Sequence, residues 1–557
     1  MHIFSFIQKN ILPLVRNNFL WRFFQKTALY HKVLAFYLDR ISYEQHIYPI
    51  ALPEVRFQEG LDLLLLEMPS RYQPMVPNGM GALEMILEKT SAKFQIFDFN
   101  ILLYHRFHSE RFLHQKKLVL NGKRINDPWE TDSSFYWKDP QVIHFFHDSF
   151  EELLTEIERV KPRMIGFSVH ENNRLVCNYM TGEIRKRLPE TKILAGGYDC
   201  YHPLIGRAMF PDFDYMFIGE AEMNLGLFME RYLAGQTVED IPGLLFRDPA
   251  ADAAFQRVDL LHDLDSINYP QYHFCKDFTL YRDYNGNSML FPVSGSRGCV
   301  WSRCNFCGEC IKFRYRDPEK VFQEILSFYH KGFRVFHFNE SDCNGRPENL
   351  YRVCEKIIES KIKISLIGQL RIHPHCDLAY FQKLRQAGFV HLRFGVDGFC
   401  DDILKLESKG YNMKMVEANL KACREAGLRV AINIVIGVPG ETDAMIEESC
   451  ANIDRLHPYI DIVESLNTLI LNAGSKYFSN PELFNIKFRG DREEIYRKYP
   501  LVIPTDLWYS DSPYIDQPIR IRRMEKIIQQ LTRYHIDIGS FAKKMVKIHK
   551  GQNELDA

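Results

Sequence analysis

The chain of 557 residues has almost no net charge, with 70 lysines and arginines against 71 aspartates and glutamates. Nothing steers the whole molecule towards nucleic acid or an anionic membrane, so a small-molecule or peptide substrate is the expectation. No uninterrupted apolar run approaches the roughly 18 residues that a membrane span needs. The opening stretch Met1 to Arg16 is apolar but repeatedly broken by polar residues. It lacks a signal-peptide core and a small-residue cleavage site, which points to the cytoplasm. Thirteen cysteines are ordinary for a cytoplasmic protein of this length, where a free thiol usually acts as a small buried hydrophobe.

What is present is a long alternation of strand and helix signals. The length implies about three to four domains of roughly 150 residues. Residues 1–60 read as an N-terminal helical extension, with an aromatic-rich helix around Phe19 to Leu38 packing on the body. From 61 to 250, Leu61 to Leu66, Phe94 to Phe99, Met164 to Val169, Lys192 to Ala195 and Tyr215 to Ile218 read as buried strands, alternating with helices. This predicts an open parallel sheet with helices on both faces. Such sheets bind ligands at the carboxyl ends of their strands. Ser168, Gly196-Gly197 and Gly219-Glu220 fall at those ends, where glycine admits a large ligand close to the backbone.

Residues 251–290 read as a connector. From 291 to 475 six further strands alternate with helices, which predicts a partial, open barrel rather than a closed eight-fold one. Beyond 475 the alternation stops, and 476–557 reads as a mostly helical tail, with a basic helix from Ile519 to Lys550.

Chemistry concentrates in Arg297-Gly298-Cys299-Val300-Trp301-Ser302-Arg303-Cys304-Asn305-Phe306-Cys307. Thiolates on an irregular loop, separated by four and then two residues, can converge on one soft metal centre. Three of them suit an iron–sulfur cluster with one iron left open. Structural zinc would want four ligands, which Cys310 could complete, but zinc knots come as two separated pairs and no second pair is present. Cys304, Cys307 and Cys310 form an alternative compact set.

The cysteine loop and the strand ends that follow it resemble the radical S-adenosylmethionine (SAM) enzymes. The segment from about 61 to 247 resembles the cobalamin-binding domain of their B12-dependent members, a Rossmann-like sheet. The resemblance implies a [4Fe-4S] cluster on Cys299, Cys304 and Cys307, although this chain has one residue more than the usual three in the first gap. It further implies SAM contacts from Phe306, from Asn339 and Glu340, from Gln369 and Arg371, from Gly395 and Asp397, and from Gly437. Ser168, Gly196, Gly197, Gly219 and Glu220 are implied as cobalamin contacts. No Asp-x-His-x-x-Gly follows the first strand, and Asp199 and His202 do not reproduce its spacing, so no histidine ligand to cobalt is implied from that motif.

The implied activity is cleavage of SAM to a 5′-deoxyadenosyl radical, with an electron supplied by an external donor such as flavodoxin or ferredoxin. Cobalamin-dependent methyl transfer to an unactivated carbon would follow. Rearrangement, cyclisation or oxidation with the same cofactors is the alternative within the class. A non-catalytic zinc or iron–sulfur protein is the alternative outside it. Cys343, Cys376 and Cys400 lie near strand ends, and Lys409-Gly410 reads as an exposed turn.

Overall fold

Leu63-Leu64-Leu65-Leu66 forms a strand buried on both faces in the computed structural model of the protein. The structure describes residues 46–71, 75–130, 136–248, 250, 255–256, 260–309 and 311–538. The helix expected around Phe19 to Leu38, Cys310 and the end of the basic tail therefore lie outside the described residues. The described part of the expected N-terminal helical extension, 46–60, contains no helix.

The first sheet consists of β1 (Leu63–Glu67), β2 (Phe94–Asp98), β3 (Met164–Ser168), β4 (Lys192–Gly196), β5 (Tyr215–Phe217) and β6 (Leu244–Phe246). Their order is β2-β1-β3-β4-β5-β6, parallel throughout except for the last pair. Side chains alternate between the faces of a strand. Leu64 and Leu66 accordingly join one apolar core while Leu63 and Leu65 join another. Because strand order reverses at β1 and β3, the carboxyl ends there open a crevice.

The segment after β2 begins with the helix Phe99–Leu113, whose first turn is capped by the Asp98 carboxylate accepting from the Ile101 amide. Eleven of its fifteen residues are buried, so it has no amphipathic stripe by which periodicity could reveal it. The helix expected over Ala221 to Leu233 is divided into a 3₁₀ turn, Ala221–Met223, and the helix Leu225–Leu233.

The second sheet contains β7 (Leu290–Val293), β8 (Val335–Phe338), β9 (Ser365–Leu370), β10 (Phe389–Asp397), β11 (Arg429–Ile436), β12 (Ile462–Thr468) and β13 (Asp537–Ile538). It runs β13-β12-β11-β10-β9-β8-β7 and is wholly parallel. Helices that begin at Pro318, Pro347, Leu378, Met413 and Asp443 supply the crossovers. Parallel pairing requires such long connections.

The region beyond 475 is not simply helical. It includes a three-stranded antiparallel sheet of Ile486–Phe488, Trp508–Asp511 and Tyr514–Ile515. The basic helix spans Gln517–Arg533 and is followed by β13, so it does not continue to Lys550 as expected. Its Arg520 is fully buried, lies 3.6 Å from the Trp508 ring centroid and donates to the Gly437 and Ile515 carbonyls.

The connector ties the two sheets together. Tyr272 donates to Asn78 at 3.0 Å and packs edge-on against Phe291, while Tyr281 donates to Asp98 at 2.8 Å. The amides of His273 and Phe274 both donate to Glu84. Burying each tyrosine contributes about 1.5–3 kcal/mol, which only docked sheets can provide. Among the described residues no helix is long and apolar enough to cross a membrane.

Candidate functional site

The cysteine loop leaves the end of β7 through a short antiparallel ribbon, in which Ser296–Arg297 pairs with Arg314–Tyr315. Gly298 makes the narrow neck: its φ is +80°, and a Cβ would stand 2.3 Å from the Ile311 carbonyl oxygen. The loop is then fastened to the turn after β10. The Asn305 amide donates to the Glu407 carbonyl, its side chain to that of Leu406, and Trp301 Nε1 to that of Ser408 at 2.7 Å.

Trp301 occupies the lengthened first gap. Its ring lies between the guanidinium groups of Arg303 and Arg371, 5.2 and 4.5 Å from its centroid. Burial raises the Cys304 thiol and pushes Cys307 up to about 11. Both thiols therefore stay protonated at neutral pH until a metal displaces the protons. Cys299, Cys304 and Cys307 share this loop.

The ends of the following strands surround it. Glu340, after β8, accepts from Ser296 Oγ and from the Gly295 amide, and burial pushes it up to about 8. Asn339 is exposed. Gln369 accepts from Arg393 and donates to the Ser341 carbonyl at 3.4 Å. Arg371 rests on Trp301 and Tyr411, donates to the Lys409 carbonyl, and is held at its own backbone by both ends of the Asn344 amide. Gly395 accepts from the Tyr411 hydroxyl at 2.6 Å. Gly437 adopts φ +82°, and a Cβ there would strike Arg520.

One expectation changes here. Lys409 is buried rather than an exposed turn residue, and its ammonium pairs with Asp397. Burial, the largest single influence, opposes its charge, but Asp397 together with Tyr411, Cys304 and Glu407 outweighs it and raises Lys409 above the ordinary lysine value. One oxygen of the Asp397 carboxylate, Oδ2, is thus held by Lys409. The Lys409 ammonium also lies 5.5 Å from the Phe306 ring centroid. Sequence reasoning missed two further acids. Burial pushes Asp342 up to about 6 against the opposing charges of Arg371 and Lys409. Glu407 is fully buried, neither of its oxygens has a hydrogen-bond partner among the described residues, and burial raises it well above the carboxylate range. Asp342 stands two residues from Glu340, but nothing in its local pattern marks it as buried. Cys343, Cys376 and Cys400 are buried thiols.

A cavity of about 1500 Å³ joins the two halves. Ser168, Gly196, Gly197, Gly219 and Glu220 line it from the first sheet, and Cys307 and Glu309 from the cysteine loop. Phe306, Asn339, Glu340, Gln369, Arg371, Gly395, Asp397 and Gly437 are not among the residues that line it. Gly197 has φ +125° and leaves no room for a side chain, since a Cβ would stand 2.4 Å from the Val169 carbonyl oxygen. Gly196 is different: a Cβ there would meet nothing closer than 3.8 Å, so its hydrogen leaves a cradle a side chain would fill.

Glu220 does not offer its carboxylate to the cavity. Arg314 donates to both its oxygens at 2.8 and 2.7 Å, Arg297 approaches to 3.0 Å and the Leu261 amide donates at 3.0 Å. Burial alone would raise Glu220, but the hydrogen bonds from Arg314 and the charge of Arg297 overcome it and hold the acid at about 2.

The donor sets fit two groups. A tetrahedral zinc site needs sulfurs about 3.8 Å apart, given Zn–S bonds near 2.3 Å. Among the described residues the one trio of possible ligand atoms within 4.8 Å of one another is Glu84, Glu88 and His273, so at least one pair of the three cysteine sulfurs lies farther apart than that. Three soft thiol donors on one loop suit an iron–sulfur cluster with one iron left open. The glycine-lined cavity has the size and backbone access for a large flat ligand.

Residues 293–453 match the Radical SAM superfamily. The chain is 24% identical over 333 residues to the anaerobic magnesium-protoporphyrin IX monomethyl ester cyclase of Cereibacter sphaeroides, covering 57% of this chain and 53% of that protein. It is 22% identical over 280 residues to the cytidylyl-2-hydroxyethylphosphonate methyltransferase of Streptomyces wedmorensis, covering 44% and 52%. The chain thus spans about half the length of these curated relatives. Its fold resembles that of the radical SAM methyltransferase TsrM from Kitasatospora setae, solved with cobalamin and a [4Fe-4S] cluster, at a TM-score of 0.54 and 15% identity over 77% of this chain and 81% of that one. It also resembles the cobalamin-dependent SAM radical enzyme OxsB, at a TM-score of 0.62 and 12% identity over 85% and 66%.

Proposed function

We propose that this protein is a cobalamin-dependent radical SAM enzyme that transfers a methyl group to an unactivated carbon of a small molecule or peptide. In this reading the first sheet, with its neighbours from 61 to 250, is a Rossmann-like corrinoid-binding unit. The second, from 291 to 475, is a partial (β/α)6 barrel, and an external flavodoxin- or ferredoxin-like protein supplies electrons. The observation that carries the reading is the single cavity lined by the glycine-rich strand ends of the first sheet and by Cys307.

Cys299, Cys304 and Cys307 would hold the cluster, and Ser168, Gly196, Gly197 and Gly219 would receive the corrin. When bound, the two groups would supply an electron to the SAM sulfonium and a carrier for the methyl group. The chain's own residues bind and orient. Glu340 and Asn339 face the methionine ammonium, and an acid held as high as about 8 binds that cation by giving up its own proton. Arg371, immobilised on two aromatic rings, is placed for the methionine carboxylate. Gln369, Gly395, Gly437 and Phe306 would line the place of the nucleoside. Lys409 pairs with Asp397 beside them.

Anaerobically reconstituted protein should release 5′-deoxyadenosine from SAM, bind hydroxocobalamin, and lose its iron and sulfide in Cys299→Ala, Cys304→Ala and Cys307→Ala. A fully loaded wild-type cluster that releases no 5′-deoxyadenosine would sink the reading. Iron-free protein containing zinc would replace it with a structural metal site. The likeness to the cyclase supports a second outcome, cyclisation with the same cofactors. Transfer of label from methyl-labelled SAM to product separates the two.

A further inference from the structure

The two arginines at the base of the cysteine loop reach across to the first sheet. Arg297 and Arg314 are direct cross-strand partners in the ribbon from which the loop hangs. Both guanidinium groups converge on Glu220, in the turn that follows β5. Arg314 grips it with two parallel hydrogen bonds, and the second nitrogen of Arg297 continues to Glu222 at 2.7 Å. Arg314 also donates to the Leu261 carbonyl at 2.7 Å, while the Leu261 amide donates back to Glu220, so the connector is held in the same knot. The Arg314 side chain is 5% exposed and that of Glu220 11%. A two-pronged arginine–carboxylate pair out of water fixes direction as well as distance.

The position of this knot gives it consequence. Glu220, Glu222, Arg297 and Cys307 all line the one cavity.

We propose that Glu220 is a positioning residue: by holding both ribbon arginines, it fixes the cysteine loop against the strand ends of the first sheet and sets the separation of the two cofactor sites. The inference rests on the cofactor reading above. It also gives Glu220 a different role from direct contact with the corrin.

Two measurements on cluster-loaded protein test it. One is hydrogen exchange over residues 298–309. The other is relaxation of the cob(II)alamin electron-spin signal by the reduced cluster, with hydroxocobalamin as the loaded probe. Glu220→Gln should take up iron, sulfide and hydroxocobalamin within about twofold of wild type, while exchange in the loop rises roughly tenfold, as expected when a local anchor is removed. Spin relaxation should fall severalfold in the same variant. Arg314→Lys, which keeps the charge but not the fork, should give intermediate values. Should Glu220→Gln fail to fold, Arg297→Gln removes one arm and leaves the Arg314 pair in place, with the same two readouts.

Unchanged loop exchange in the folded variant overturns the proposal. So does loss of hydroxocobalamin uptake with the loop still protected, since that makes Glu220 a corrin contact. A wild-type protein that takes up no hydroxocobalamin instead refutes the cofactor reading, and the loop-exchange measurement still judges the clamp.

Discussion

The two parallel sheets end in opposite kinds of surface. At the carboxyl ends of β3, β4 and β5 the chain presents Ser168, Gly196, Gly197 and Gly219 to an open cavity. At the ends of β8, β9 and β10 it presents ionisable side chains that are already held in place, Lys409 by Asp397, Arg371 by two rings and Glu340 by Ser296. The first surface is shaped by missing side chains and the second by paired charges. A broad flat ligand is recognised through backbone access and shape, whereas a small zwitterion needs charges held at fixed distances.

The contrast predicts different failures. Lys409→Met should be the most damaging single change, because it strands Asp397 beside the already unpartnered Glu407. Loss of one partner of a buried pair costs about 3–5 kcal/mol. Denaturant unfolding should register that loss, and 5′-deoxyadenosine release should fall sharply, with hydroxocobalamin uptake retained if the first sheet stays folded. Equal loss of uptake would show that the two surfaces are not independent.

Gly196→Val attacks the other surface. The added side chain enters open space, so stability should change little, while hydroxocobalamin affinity should fall by roughly tenfold or more as the cradle fills. Cluster content should be unaffected. A variant that binds hydroxocobalamin normally would remove β4 from the site.

The two sheets share one titration. Burial pushes Glu67, at the end of β1, and Glu340 up to about 8, and Glu441 up to about 7. The folded protein therefore keeps protons that the unfolded chain has released, and stability should fall as pH rises from about 6.5 to about 8.5. Burial lowers His105, His170 and His337 to about 4, which acts in the opposite sense but only below the ordinary histidine value. Melting temperature against pH measures this, and Glu67→Gln should flatten the slope. The smallest effect belongs to Trp301→Phe, which removes the hydrogen bond to Ser408 at a cost of about 1 kcal/mol. Cluster assembly should survive, with SAM bound more weakly if Arg371 shifts.

The α/β alternation was legible because a parallel sheet buried on both faces demands continuous apolar strands, and Leu63 to Leu66 or Val430 to Ile436 can be little else. The helix Phe99–Leu113 was not, since burial nearly all round erases the period that betrays a surface helix. The cysteine loop was visible from its spacing, and the glycines from their place after strands.

What residue order could not express was which charges meet. Lys409 reads as a solvated turn until the fold carries Asp397 to it, and Glu220 reads as a cavity ligand until Arg314 arrives from 94 residues away, with Arg297 beside it. By itself the sequence determined the strands, the three thiols and the positions free of side chains, because those depend on local composition and period. Only the tertiary structure decided which carboxylates are free to bind and which are spent holding the loop, because pairing between distant charges depends on docking geometry that no local pattern encodes.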